Sequence, residues 1–394
     1  MAGAVCPQRF RFIHRLKRAI PGIENHLSEH FLRVILSRGP RTFGSREKSM
    51  STSRPEHLDL KSLSAVIPTV APVRTATERP LWSVMIPTYN CARYLRETLG
   101  SVLAQDPGPK VMQIEVVDDC STKDDPQAVC RELGGDRVAF YRQPQNVGVS
   151  KNFNTCVQRS RGHLVHILHG DDLVEPSFYE RMAALARQWP DVAIYMCRAR
   201  VITEEGEEFA TSKDVPLYHE PSFDAEPLWY VNVLRTPAIV VRRSFYETHG
   251  GFCEGVSHVA DWEMWVRAVA AGGGVMLDEL LARYREFGGN DTSRLRRTAD
   301  HLREFLRAGR IFKLRYRRFD ADRFHQLVRQ AANWHVNRFR RDGDLEAAAN
   351  NERFLLEIPP PGKRLWQRLA GGLAGVGAVG SAMVRRCSLW RRKA

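Results

Sequence analysis

Short apolar runs alternate with amphipathic stretches from Trp82 to Cys197. Trp82-Ser-Val-Met-Ile86 reads as a strand covered on both faces, because a brief apolar run bounded by turn residues fits one. After it Leu95, Leu99, Val102 and Leu103 recur at the spacing of one helix face, and Pro107-Gly108-Pro109 ends that helix. The alternation continues with a strand at Gln113–Val117, a helix around Pro126–Leu133, a strand at Arg137–Tyr141 and a helix opened by the loop Asn146–Lys151. A strand at 163–168, a helix from Pro176 to Gln188 and a strand at Val192–Cys197 complete this half. Strands and helices in turn predict βαβ units and a mainly parallel sheet, with order beginning at Trp82. Each polar motif falls just after a strand: Pro87–Asn90, Asp118–Ser121 and Asp171–Asp172. In register, the three line one edge of the sheet, where open α/β folds bind ligands.

The second half is less regular. Residues 203–236 are polar and broken by prolines, which predicts a surface excursion over the cleft. Ala238–Arg242 reads as a strand, Ala260 opens a helix, and Val275–Tyr284 reads as a strand. Arg294 to Leu356 is charged and helical, with about three helices expected, and Pro359-Pro360-Pro361 ends it. Leu369 to Val384 is uncharged, but it is shorter than the ~20 apolar residues a membrane span needs. An interfacial helix or a flexible basic tail fits it better.

Charge sharpens this division. The chain of 394 residues carries a net +14, of which residues 1–49 hold +7 and residues 362–394 hold +8. The body between them is therefore near neutral, which argues against a nucleic-acid-binding fold. Basic tails of this kind suit an anionic membrane surface. Residues 51–80, with Pro55, Pro68, Pro72 and Pro80 among Ser and Thr, have a linker's composition; Met50, which opens them, is a candidate initiator. The eight cysteines show no metal-ligand spacing and read as reduced, mostly buried thiols.

The candidate chemistry centres on His169-Gly-Asp-Asp-Leu173. Asp171 and Asp172 offer two hard oxygen ligands where a strand ends and a helix is about to begin, which suits Mg²⁺ or Mn²⁺ with substrate phosphates. Both side chains are expected to face an open cleft. A solvated turn is the plain alternative.

Residues 81–290 resemble a family 2 glycosyltransferase of the GT-A fold, a nucleotide-diphospho-sugar transferase. The resemblance rests on five motifs in order: Pro87-Thr-Tyr-Asn90, Val117-Asp-Asp-Cys-Ser121, Asn146-x-Gly148, Gly162 with His169-Gly-Asp-Asp172, and Ala260-Asp-Trp-Glu263. It implies that Tyr89 stacks on a nucleotide base while Pro87 and Thr88 give backbone contacts. Asp119 would accept the imide N–H of uracil or a related base, an Asx-turn being its structural alternative. Gly148 would let the backbone approach the ligand, and Lys151 would neutralise phosphate or remain an ordinary surface lysine. Asp171 and Asp172 would hold the divalent cation, with Asp171 also at the donor. Asp261 would be the general base of an inverting displacement, its alternative being a helix cap.

Three departures from the family pattern bear on this reading. His169 stands where a carboxylate is frequent, so metal affinity would lean on Asp171 and Asp172 alone. Phe287 stands where many relatives carry histidine, so Arg285 or Asn290 would have to take over its contact with metal or diphosphate. The Gln-x-x-Arg-Trp motif of processive synthases is replaced by Gln330-Ala-Ala-Asn-Trp334. One sugar per acceptor encounter follows. The expected organisation is a basic, disordered extension and linker at 1–80, the GT-A domain at 81–290, a helical extension at 291–361 and a basic Gly/Ala-rich tail at 362–394. The expected partners are a UDP-sugar donor, a glycan or lipid-linked acceptor and an anionic membrane at the cytoplasmic face, with no nucleic acid. A non-catalytic scaffold of the same fold and a metal-dependent nucleotidyltransferase are the rival readings.

Overall fold

The computed structural model describes residues 66–74, 78–212, 218–287 and 291–359. The basic tails, Met50 and Asn290 lie outside the described residues, and with them every expectation placed there. The apolar run at Trp82 forms β1 (Trp82–Thr88), buried along its whole length. Helix α1 (Ala92–Leu103) lays Leu95, Leu99 and Val102 on the sheet. Its first turn has no side-chain cap of its own; the Ala92 N–H instead donates to Asp124 Oδ2 at 2.7 Å. β2 (Met112–Asp118) pairs parallel with β1 from Trp82↔Met112 to Thr88↔Asp118, so the two strands end level. α2 (Pro126–Gly134), where the sequence predicts a helix, starts with Asp125 as cap and proline in its first turn. β3 (Ala139–Arg142) is parallel to β2, and α3 (Val149–Arg159) follows Gly148. β4 (Leu164–Ile167) is parallel to β1 on its other side. Gly162 serves this packing: a Cβ there would come within 2.5 Å of the Trp82 backbone.

Beyond β4 the sheet changes character. β5 (Leu173–Val174) comes directly after Asp172, so the helix expected there, α4 (Phe178–Gln188), begins only after a short strand and the left-handed Ser177. β6 (Ile194–Ile202) is antiparallel to β7 (Glu208–Thr211) and to β8 (Ile239–Arg242). α5 (Arg243–His249) and α6 (Ala260–Gly272) lead into β9 (Gly274–Arg285), which is parallel to β6 and antiparallel to β5. The order is β3-β2-β1-β4-β8-β6-β9-β5, with β7 beside β6. Parallel pairing thus holds through the first four strands, and the remainder is mixed. The stretch 203–236 is more than a surface excursion, because Leu228, Trp229, Tyr230 and Leu234 are buried. Prolines and polar residues hid an apolar cluster.

His166 in β4 is fully buried, with Nε2 3.0 Å from the Pro237 carbonyl and Nδ1 3.2 Å from the Tyr179 hydroxyl. Burial pushes its pKa down to about 3, so the folded protein keeps it neutral. The unfolded chain, with an ordinary imidazole near 6.5, binds the extra proton between those values. Stability should therefore fall as pH drops from 6.5 towards 3. Urea midpoints at pH 7.5 and 4.5 should differ less for His166→Gln than for wild type; an equal difference would put the acid sensitivity elsewhere.

Four helices occupy the end of the described chain rather than about three: α7 (Asp291–Thr298), α8 (Asp300–Arg315), α9 (Ala321–Arg341) and α10 (Leu345–Leu355). Left-handed Ala299 separates α7 from α8, a break that a charged helical pattern does not reveal. The chain divides into two compact units, one ending at Phe319 and the other starting at Asp320. Packing also begins upstream of Trp82. Pro68 accepts from the Gly251 N–H, Val66 accepts from Glu254, and Val70 is buried. The described cysteines are all free. No helix among the described residues is long and apolar enough to cross a membrane.

Candidate active site

The level ends of β1 and β2 create the first half of the site. Asn90, in the left-handed region at φ 51°, accepts from the Thr122 and Lys123 N–H groups at 2.9 and 3.0 Å. Its own N–H donates to Ser121 Oγ at 2.8 Å, so the loops after the two strands are sewn together. The Asx-type turn belongs to Asp118: its fully buried carboxylate accepts from Ser121 N–H and Oγ–H, and from Arg142 Nε at 2.6 Å. Asp119 is left for another task. Its Oδ1 accepts from Val147 N–H at 2.8 Å and its Oδ2 from Gly148 N–H at 3.0 Å. Burial raises the Asp119 pKa, against the pull of those two amides. Each oxygen keeps an acceptor site, so this carboxylate can meet a further N–H. Gly148 adopts φ 85° with open space where a side chain would stand, so its backbone can be approached. Tyr89 is exposed at the strand end while Pro87 and Thr88 are buried, and Lys151 is exposed in the first turn of α3.

β4 brings in the carboxylates. The Gly170 N–H donates to the Pro87 carbonyl at 3.0 Å, which sets the loop His169–Asp172 beside the end of β1. One ligand atom from each of His169, Asp171 and Asp172 lies within 4.8 Å of the others. Burial, and next the charge of Asp172, raise the Asp171 pKa. Burial would lower the His169 pKa, but Asp172, Asp171 and Asp261 together raise it. Asp172 Oδ2 and His169 Nε2 are buried without hydrogen-bond partners. An orphaned buried carboxylate oxygen in an acidic cluster fits a bound divalent cation.

Two expectations about this half are corrected. Asp172 does not face an open cleft: it is 0% exposed, and its Oδ1 accepts from Arg285 N–H at 2.9 Å. Arg285 does not replace the histidine absent at Phe287. Its guanidinium is itself buried and donates to the Asp171 carbonyl, the Glu204 carbonyl and Glu97 Oε2. It fixes the backbone of the metal loop. Phe287 packs on Tyr94, ring centroids 5.2 Å apart.

The third part is the start of α6. Asp261 lies inside the first turn, one residue beyond Ala260, so it is not the capping residue; that is Val259, which offers no side-chain cap. Asn232 Nδ2 and Thr236 Oγ1 approach its carboxylate at 3.4 Å. Trp262 and Trp265 are in the core, and Trp262 Nε1 donates to the Leu228 carbonyl at 2.7 Å. Glu263, fully buried, accepts from Arg267 at 3.0 Å and from Arg315. Burial would raise its pKa, yet the two guanidiniums hold it below the usual range. Arg235 sits over the Tyr284 ring, 5.0 Å from its centroid, with no ion pair among the described residues. Asn232, Arg235 and Thr236 were not singled out by the sequence; only their lying between an apolar cluster and β8 could have pointed to them.

Residues 83–250 match the family model described as Glycosyl transferase family 2. An uncharacterised protein of Mycobacterium tuberculosis is 27% identical over 238 residues, covering 56% of this chain and 72% of its own. The chondroitin synthase of Escherichia coli is 28% identical over 195 residues. That match covers 49% of this chain but only 27% of the synthase, so the chain spans about a quarter of that relative. Among solved structures, S. aureus TarS 1–349 in complex with UDP-GlcNAc aligns over 69% of this chain and 90% of its own, with 18% identity and a TM-score of 0.45.

Proposed function

We propose that this chain, whose residues 83–250 match the model of glycosyl transferase family 2, is a glycosyltransferase of GT-A fold that moves one sugar from a nucleotide-diphosphate donor, with inversion, to a hydroxyl of a glycan or lipid-linked acceptor. The observation that carries this reading is the meeting of the β1, β2 and β4 ends, which sets Asp119 and the His169–Asp172 loop along one edge of the sheet. A UDP-sugar is the donor we favour. Tyr89 stacks on the base, the backbone at Pro87 and Thr88 lines its entry, and Asp119 accepts the imide N–H. Gly148 admits the ribose and phosphates, with Lys151 and Arg235 as cations that the diphosphate charge can meet.

Asp171 and Asp172 would hold a divalent cation, Mn²⁺ or Mg²⁺. Bound there, the ion supplies Lewis acidity at the departing diphosphate oxygens. Asp261 takes the proton of the acceptor hydroxyl as that oxygen attacks the anomeric carbon, and the nucleoside diphosphate leaves from the opposite face. Asn232 and Thr236 keep the Asp261 carboxylate turned toward the acceptor. All these groups lie within residues 81–290. A panel of nucleotide sugars, assayed for nucleoside diphosphate release with and without Mn²⁺, tests the reading. We expect one donor to stand out and turnover to need the ion; pyrophosphate as product would instead favour a nucleotidyltransferase.

We further place the enzyme at the cytoplasmic face of a membrane, in cell-surface polysaccharide or glycolipid synthesis. Residues 362–394 carry eight Lys and Arg without an acid, and each near an anionic surface contributes about 1 kcal/mol. Co-sedimentation with anionic vesicles should be strong at low salt, weaken as salt rises and vanish on deletion of 362–394. Retention of the full chain in the supernatant at low salt would end this part of the proposal.

A further inference from the structure

His169 is positioned more tightly than a loop side chain needs to be. Its ring is stacked on Phe153, with centroids 5.3 Å apart and planes 22° apart. Its Nδ1 stands 3.2 Å from Asp172 Oδ2, yet that oxygen has no hydrogen-bond partner. The two atoms are close without being aligned as donor and acceptor. Asp172 Oδ1 is already held by the Arg285 N–H, so only Oδ2 is available and its direction is fixed. Two atoms bound side by side on an octahedral ion at about 2.1 Å stand about 3 Å apart. The observed spacing fits two atoms that share one cation.

We propose that His169 supplies a nitrogen ligand to the cation held by Asp171 and Asp172, and that the site therefore selects a transition-metal ion such as Mn²⁺ over Mg²⁺. This rests on the metal reading given above and adds the choice of ion to it. Mg²⁺ is small, sheds water reluctantly and prefers oxygen ligands, whereas imidazole suits the first-row transition metals. An imidazole in place of a carboxylate also removes one negative charge from the site, which weakens a hard ion held mainly by electrostatics. Phe153 is the element that makes the arrangement specific, because its ring keeps the imidazole edge turned to Asp172.

The test uses the full chain with Mn²⁺ alone and with Mn²⁺ plus UDP, read by pulsed electron paramagnetic resonance. Nitrogen modulation from a directly bound imidazole is expected in wild type and should vanish in His169→Asp. In Mg²⁺ competition the preference for Mn²⁺ should fall by roughly tenfold or more in that variant. His169→Gln, with an amide of similar size, gives the same comparison if the aspartate variant does not fold. Mn²⁺ bound without nitrogen modulation would overturn the role of His169 while leaving the metal site intact. Absence of Mn²⁺ binding in wild type would overturn both.

Discussion

Asp171→Ala should abolish sugar transfer while leaving the protein folded. Asp171 is only partly buried, so little packing is lost with it. What is lost is half of the charge that binds the cation at the leaving diphosphate. Several kcal/mol of transition-state stabilisation go with it, which is about three orders of magnitude or more in rate. Asp172 calls for a different substitution. Asp172→Ala would orphan the buried Arg285 N–H and add about 1–3 kcal/mol of instability. Asp172→Asn keeps an acceptor for that N–H and removes only the charge, so it should match Asp171→Ala in rate loss with a near-wild-type melting temperature. Nucleoside diphosphate release with and without EDTA, alongside thermal melts, makes the measurement. Full activity of both variants in EDTA would remove the metal from the mechanism.

Asp261→Asn should lower kcat by roughly a hundredfold or more, with little change in donor affinity. Asparagine preserves the shape and one oxygen for the Trp262 N–H that Asp261 Oδ1 accepts at 2.6 Å, but it takes no proton. Steady-state kinetics with both substrates varied separates the two effects. Loss of donor binding with kcat retained would make Asp261 a donor-side group. Thr236→Val is a useful companion, because it removes a hydroxyl that approaches the carboxylate at 3.4 Å without touching the fold's hydrogen-bonded backbone. Its effect should be modest, in kcat rather than in donor KM.

The parallel half of the fold was legible because its strands are buried on both faces and therefore read as unbroken apolar runs, each ending in a polar motif. Register did the rest, since parallel strands of matched length bring those motifs level. Beyond β4 the sequence speaks less clearly. Leu173 and Val174 are too short a run to announce a strand, and they form one only because β9 offers them a partner. Arg285 is a comparable case: as one charged residue in a loop-like stretch it read as a ligand for phosphate. Only the fold reveals that backbone carbonyls and Glu97 consume its donors. The pair Asp118-Asp119 shows the same limit at closer range. Adjacent identical residues divide the turn and the pocket between them, and that division depends on which one ends the strand: Asp118 closes β2 and Asp119 lies just past it.

The ion cluster under α6 has a consequence for how the molecule can be divided. Glu263 is held jointly by Arg267 of its own helix and Arg315 of α8, and Trp262 packs against Phe305 and Phe312 of that same helix. Breaking a buried pair by taking away one partner costs about 3–5 kcal/mol, because the remaining charge is stranded. A clone trimmed at residue 250 would lack Asp261 itself, and one trimmed at 290 would strip the support from the turn that presents it. The fragment ending at 290 would retain the nucleotide pocket and lose the acceptor side. The smallest piece worth expressing runs from the upstream segment at Val66 through Phe319, and chimaeras with related enzymes should exchange α6 and α8 together.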